Sequence, residues 1–249
     1  MVSPPFFVLI SIVVVAVITA GLHALAHKVL ARKFTEKEVE AANWGAFRIG
    51  AIHALVLALT FAEVQDEFQD LKDAFDREGL ALLHTATLLN TIDDEGATEI
   101  RTELSEYAET LIASFSAPAR TMDPMIFDDL RYSQFLANVD RLIDELDETS
   151  QSDRLKHFLE QFRQARDSRI INGNDDGHPA FWFASICGFV FTCIGFVVYR
   201  PGAVASLSIA MFGGLNGAML SGIYLLSHPF GSFGLIEPNL IALALERLS

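Results

Sequence analysis

The sequence predicts an all-α, polytopic membrane protein with four transmembrane helices and a helical soluble domain inserted between spans two and three. Of its 249 residues 51% are hydrophobic, yet the formal net charge is −14. Residues 63–176 carry a net charge of −16, whereas the two ends together carry +2. Such a division indicates an acidic soluble insert between two apolar regions, and the insert shows no strand-like alternation.

The composition predicts four regions along the chain. They are transmembrane helices one and two in residues 1–62, an acidic helical domain in 63–176, transmembrane helices three and four in 177–230, and an amphipathic tail in 231–249. This organisation predicts a multi-pass protein of the cell inner (plasma) membrane. The lipid bilayer is therefore an expected partner of the protein.

Each apolar run is long enough to cross a bilayer, which takes about 20 apolar residues. Residues 6–26 and 179–199 contain no formal charge, and residues 203–226 form the fourth run. The second run begins near Trp44, which suits the membrane interface, and Arg48 is close enough to that end for its side chain to reach the headgroups. A cleavable signal peptide is the competing interpretation of residues 6–26, but no basic segment precedes them.

The fourth span contains small residues four apart, Gly213, Gly217 and Ser221. Lipid offers helices no hydrophobic reason to associate, so close approach at small residues is what holds neighbouring spans together. We therefore expect these three residues to be helix-packing positions. We also expect spans two and four to join copies of the chain into a homo-oligomer.

Span two continues into a soluble helical stalk. Between Gly45 and Ile92 there is no Pro, and no Gly between Gly50 and Gly79, so nothing ends a helix that starts there. Apolar residues then recur three and four apart, which is a heptad seam: Phe61, Val64, Phe68, Leu71, Phe75, Leu82, Leu89 and Ile92. Glu78 occupies a seam position, so we expect a buried stalk charge that one of Arg163, Arg166 and Arg169 neutralises.

Three further amphipathic helices complete the insert. One runs from Ile100 to Phe115, a second opens at Asp123 with Pro124 in its first turn, and a third runs from Ser152 to Ile170. With the stalk they form a four-helix arrangement that is large enough to bury a shared core.

Several function classes are disfavoured. The acidic charge repels nucleic acid, and an enzyme is not expected because no nucleophile elbow, phosphate loop or zinc-protease motif occurs; we predict no catalytic residues. Cys187 and Cys193 are too few for a cysteine metal site, and we predict neither metal nor cofactor. His53 lies in the middle of span two. It is either a functional ionisable group or a neutral histidine that hydrogen-bonds to a neighbouring helix.

Short motifs resemble the bestrophin-like domain family, whose members are mostly bacterial membrane proteins. They are Leu59-Thr60-Phe61-Ala62 at the end of span two, Glu78-Gly79 and Leu88-Leu89 in the stalk, and Pro229-Phe230 before Pro238. The sequence departs from the family where Gly231 directly follows Phe230, and where Gln65, Asp66 and Glu67 replace arginines that usually follow span two. That replacement weighs against attraction of anions at this end of the span.

The resemblance implies an oligomeric ion channel or pore, pentameric in bestrophins, that inorganic ions cross along span two. The implied pore-lining residues are Ile52, His53, Val56, Leu59, Thr60 and Glu63. The implied acidic mouth comprises Asp66, Glu67, Asp175 and Asp176. Because rings of apolar residues gate by dewetting and rings of acids select cations, we expect a hydrophobic constriction and a preference for cations.

The sequence is consistent with two orientations of the insert and with two functions. Basic residues in the short loops between spans favour an outward-facing insert by the positive-inside rule, whereas bestrophins hold the equivalent domain in the cytosol. The alternative function is a membrane-anchored scaffold or sensor whose acidic helical domain binds a partner. Such a protein would need an unseen effector, while a channel needs only copies of itself.

Overall fold

The computed structural model describes residues 3–30, 34–116, 129–146, 150–173, 179–229 and 235–248. Within these ranges the chain is all-helical and contains no strand, as the sequence predicts. The helices are α1 Pro4–Leu30, α2 Glu36–Leu89, α3 Glu95–Ser116, α4 Asp129–Glu145, α5 Ser150–Gly173, α6 Pro179–Gly195, α7 Ala203–Ser227 and α8 Asn239–Leu248. A short 3-10 turn, Phe196–Val198, follows α6.

Four of these helices are long and apolar enough to cross a membrane: α1, α2, α6 with its 3-10 turn, and α7. Their positions match the four apolar runs in the sequence. The protein is therefore a membrane protein with several apolar helices.

The chain divides into two compact units. The first, which we call the spanning unit, comprises Met1–Asp66 and Asp176–Ser227; the second, the helical unit, comprises Glu67–Asp175 and His228–Ser249. The first half of the 54-residue helix α2 belongs to the spanning unit, and its second half belongs to the helical unit. The C-terminal tail, expected as a region of its own, is part of the helical unit.

Helix α2 begins with a capping box. The amide N–H of Glu38 donates to Thr35 Oγ1 at 3.4 Å, and the amide N–H of Thr35 donates to Glu38 Oε2 at 2.8 Å. This reciprocal pair satisfies two amides at the start of the helix, where no intrahelical acceptor exists.

The spanning unit packs α1 closely against α7. On α7 the residues at this contact include Gly213, Gly214 and Gly217, which lets the two backbones approach. A Cβ atom placed on Gly217 would lie 2.6 Å from the carbonyl oxygen of Ser11, and one on Gly214 would lie 3.3 Å from Ile12 Cγ2. The α1–α7 contact therefore depends on the absence of side chains on α7.

This contact corrects one expectation from the sequence. Gly213 and Gly217 pack against a neighbouring helix as expected, but that helix is α1 of the same chain and not another copy, and Gly213 lies against Thr19. Ser221 is buried and donates to the carbonyl of Ala218 at 3.0 Å within α7. Small-residue spacing predicts that a helix comes close, but it does not say which helix.

The helical unit contains one core, to which α2, α3, α4, α5 and α8 contribute. The seam positions of α2 are buried as the heptad pattern predicts, including Leu71, Phe75, Leu82 and Leu89. The other helices contribute large buried side chains: Ile100, Leu104, Leu111, Leu142, Leu155 and Ile241. The expected helix start at Asp123-Pro124 lies outside the described residues.

The tail helix α8 packs on this core. Ile241 and Ala244 are buried, and a Cβ atom on Gly79 would lie 2.7 Å from Leu240 Cβ. The side chain of Asn90 also donates to the carbonyl of Arg247 at 2.7 Å. Gly79 therefore makes room on α2 for the tail, which explains a glycine in the middle of a long helix.

We predict that Gly217→Ala destabilises the spanning unit by about 1–3 kcal/mol, the usual cost of overpacking, because its Cβ would meet backbone rather than a movable side chain. Gly21→Ala is the matched control, since nothing lies within 4 Å of that position. Thermal melting followed by tryptophan fluorescence reports on this unit, because Trp44 and Trp182 both lie in it. Equal melting temperatures for the two variants would show that α1 and α7 do not pack as described.

Candidate pore helix and buried charge cluster

The first half of α2 has two distinct faces. Residues spaced three, four or seven apart are buried within the chain: Ala46, His53, Leu57, Thr60 and Val64. The opposite face carries large exposed apolar side chains, with Ile52 64%, Leu55 60% and Leu59 58% exposed. Exposed apolar side chains on a membrane helix face lipid, another chain or a pore.

These faces separate the residues that the family resemblance implies as pore-lining. Ile52 and Leu59 are exposed, Val56 and Glu63 are partly buried, and His53 and Thr60 are buried against other helices of the same chain. The Thr60 hydroxyl donates to the carbonyl of Val56 at 2.9 Å. The six residues therefore do not form one surface.

His53 hydrogen-bonds to a neighbouring helix. Its Nε2 lies 2.6 Å from Asn216 Oδ1 on α7, and Asn216 Nδ2 donates to the carbonyl of Phe212 at 2.9 Å. Since Asn216 Oδ1 can only accept, His53 Nε2 is the protonated nitrogen. A Cβ atom on Gly188 of α6 would overlap the imidazole ring, so this glycine creates the space for His53. This geometry fits the structural interpretation of His53.

The acidic residues that follow the span differ in exposure. Glu63 and Glu67 are partly buried and Asp66 is exposed. Asp175 and Asp176, predicted to share this mouth, lie outside the described residues. Among the residues that the structure describes, no group of three or more histidine, cysteine or acidic side chains is arranged to hold a metal ion.

The helical unit buries a charge cluster of Glu78, Tyr107 and Arg169, which we call the Glu78 cluster. Glu78 is 0% and Arg169 2% exposed. Arg169 Nε donates to Glu78 Oε2 at 2.5 Å, and its second nitrogen donates to Glu78 Oε1 at 3.3 Å. The Tyr107 hydroxyl donates to Glu78 Oε1 and accepts from Arg169 at 3.0 Å.

This cluster joins α2, α3 and α5. Burial, followed by the nearby carboxylate of Glu78, raises the pKa of Tyr107 well above its ordinary value, so the phenol stays neutral and donates. Of the three arginines expected to reach Glu78, Arg169 is the one that pairs with it. The cluster therefore holds a carboxylate and a guanidinium with their hydrogen bonds satisfied, as a buried ion pair requires.

The other two arginines have different partners. The guanidinium of Arg166 lies 3.9 Å from the ring centroid of Tyr132, and Arg163 is 3.8 Å from Asp140. Burial raises the pKa of Tyr132, although the charge of Arg166 opposes this. Burial also raises the pKa of Glu103, against a hydrogen bond from Asn138.

Sequence reasoning missed two residues of these sites, Tyr107 and Asn216. Tyr107 fits the apolar stripe of its helix, so the spacing alone gives no sign that its hydroxyl takes part in a hydrogen bond. Asn216 is a strongly polar side chain within an apolar span, and such residues usually find a partner inside the protein. That signal, together with His53 in span two, could have predicted the pair.

Comparison with known proteins gives a family and a fold. A search of curated proteins finds no match. Among solved structures, the crystal structure of a membrane protein matches with a TM-score of 0.64 and 11% identity, over 98% of this chain and 97% of the other. At that identity the similarity shows the fold alone. The model of the bestrophin-like domain matches residues 13–238, and the chain therefore belongs to the bestrophin-like family.

Proposed function

We propose that the protein is a homo-oligomeric ion channel in which α2 lines a cation-preferring pore. The observation that carries this proposal is the unpartnered apolar face of α2, on which Ile52, Leu55 and Leu59 are more than half exposed in the single chain. Symmetric copies that turned this face toward a common axis would produce stacked apolar rings. Such rings form a constriction that gates by dewetting.

Acidic residues continue the same helical spacing. Asp66 follows Leu59 by seven residues, and Asp70 and Asp73 come four and three residues later; all three are exposed. In an oligomer each would be repeated as a ring, and repeated carboxylates concentrate a field that attracts cations. Glu63, which is partly buried, lies beside this row of exposed acidic residues on α2.

Basic residues on α2 do not cancel this field. Lys72 Nζ is 2.8 Å from Asp76 Oδ2 in the next turn, so its charge is neutralised locally. Arg48 lies on the same stripe as Ile52, one turn closer to the helix start. Trp44, which is exposed, marks that end as interfacial, and we propose that Arg48 extends to the headgroups.

In this proposal His53 and Thr60 support the pore helix without lining the pore. The His53–Asn216 bond ties α2 to α7, and Gly188 lets α6 approach the same point. The proposed role is passage of inorganic ions and involves no catalytic step. A scaffold or sensor would use the acidic helical unit, but no observation favours that role over a channel.

The proposal is tested by reconstituting the purified full-length chain into planar bilayers and measuring its oligomer mass in parallel. We expect a closed homo-oligomer by native mass spectrometry and unitary currents in bilayers. A monomer that conducts nothing under any voltage or salt gradient would contradict the proposed function. The pentameric state of bestrophins sets the expected oligomer number.

A further inference from the structure

The spanning unit contains an apolar groove and a polar pocket that the proposed pore does not use. The apolar groove has a volume of about 380 Å³ and lies between α1, α6 and α7, where Leu22, Ala26, Phe189, Cys193, Val197 and Ile209 line it. The polar pocket has a volume of about 580 Å³, and its lining includes His27, Glu36, Glu40, Asn43, Tyr199 and Arg200.

The groove and the pocket follow one another along the same side of α1. His23 lines the groove and His27 lines the pocket, and residues four apart lie on one face of a helix. The other wall is also continuous, because Val197 lines the groove and Val198 lines the pocket. His23 Nε2 donates to the carbonyl of Tyr199 at 3.1 Å, which holds this wall against α1.

The length of the groove matches one leaflet of a membrane. From Val15 to Ala26 it follows α1 for about 16 Å, at 1.5 Å per residue. Half of a bilayer's hydrocarbon core is about 15 Å. The polar pocket then lies at the interfacial end, where Tyr199 and Arg200 follow the 3-10 turn and α2 begins.

The pocket contains charges of both signs that are not paired with each other. Within the described part of the chain, Arg200, Glu36 and Glu40 take part in no ion pair. Tyr199 donates to Asn43 across the pocket. A guanidinium binds phosphate well, and two carboxylates accept hydrogen bonds from a primary amine.

We propose that the groove and the pocket bind one phospholipid per chain. An acyl chain fills the groove, and a zwitterionic headgroup with a phosphate and a primary amine occupies the pocket. Arg200 binds the phosphate, and Glu36 and Glu40 bind the amine. An anionic lipid without an amine fits less well, because the two carboxylates repel it.

The test uses the full-length chain in mixed micelles with equal amounts of phosphatidylethanolamine and phosphatidylglycerol, and counts retained lipid by native mass spectrometry. We expect one retained lipid per chain and a preference of about fivefold for phosphatidylethanolamine. A preference of that size corresponds to the upper end of the free energy that exposed ion pairs contribute. The double variant Glu36→Gln with Glu40→Gln should lose that preference. Arg200→Gln should lower retention of both lipids, whereas Lys28→Gln, which removes a charge outside the pocket, should not.

A second pair of variants tests the groove. Cys193→Phe fills it and should abolish retention, while Leu207→Phe places the same side chain at an exposed position on α7 and should not. Retention unchanged by both Cys193→Phe and Arg200→Gln would show annular lipid only and overturn the proposal. A cross-linking experiment can also overturn the proposal. If Ile194→Cys, in a variant without other cysteines, forms a disulfide between two chains, then a second copy covers the groove.

Discussion

Replacing Arg169 with methionine should unfold the helical unit locally while the spanning unit stays folded. The change leaves Glu78 charged and 0% exposed with Tyr107 as its remaining partner in the cluster. Breaking a buried ion pair by removing one partner costs about 3–5 kcal/mol. Hydrogen exchange of α3 and α5, followed by mass spectrometry, should show a loss of amide protection of about a hundredfold or more.

Two further variants separate the ion pair from general loss of packing. Arg163→Met makes the same change on the same helix, but Arg163 is only 3.8 Å from an exposed Asp140, so its removal should cost less than about 1 kcal/mol. Glu78→Leu combined with Arg169→Met should restore part of the stability, because it removes the unpaired charge. Protection lost equally in Arg163→Met and Arg169→Met would mean that Glu78 is not the cause.

Leu59→Asn should increase the conductance of the proposed channel severalfold. In the proposed oligomer Leu59 contributes one apolar ring, and an amide in that position hydrates the constriction that leucine keeps dry. Currents in planar bilayers give the measurement directly. Thr60 is one residue away but buried, so its face of α2 is not expected to contribute.

Leu207→Asn is the matched control for this change. Leu207 on α7 is 62% exposed and Leu59 58%, so both substitutions place an amide on an accessible apolar surface. Only the substitution in the pore helix should change the current. An equal effect of the two variants, or none from Leu59→Asn, would remove Leu59 from the constriction.

Periodicity predicted most of this fold correctly. Heptad spacing identified the seam of α2 from Val64 to Leu89, and the apolar runs identified four helices long enough to cross a membrane. The same spacing exposed Glu78 as a polar residue in an apolar seam, which predicted burial and a basic partner. Both predictions succeeded because they depend on local spacing and on the cost of burying an unpaired charge.

The sequence could not show which helix or surface each of these faces packs against. The spacing of Gly213 and Gly217 is the same whether α7 meets α1 of its own chain or another chain. The apolar stripe of α8 is equally consistent with a membrane surface and with the core on which it packs. His53 and Ile52 are adjacent in the sequence, and only the packing of α6 and α7 decides which of them is covered.

The reversal potential under a salt gradient tests the central claim, that α2 lines a cation-preferring pore. For the native protein in planar bilayers, the reversal potential should lie between zero and the equilibrium potential of the cation. Glu63→Gln with Asp66→Asn should move it toward zero. Glu99→Gln with Glu106→Gln removes the same charge from exposed positions on α3 and should leave it in place. A reversal potential at the anion equilibrium value, or one that does not change with the Glu63 and Asp66 substitutions, would contradict a cation-preferring pore lined by α2.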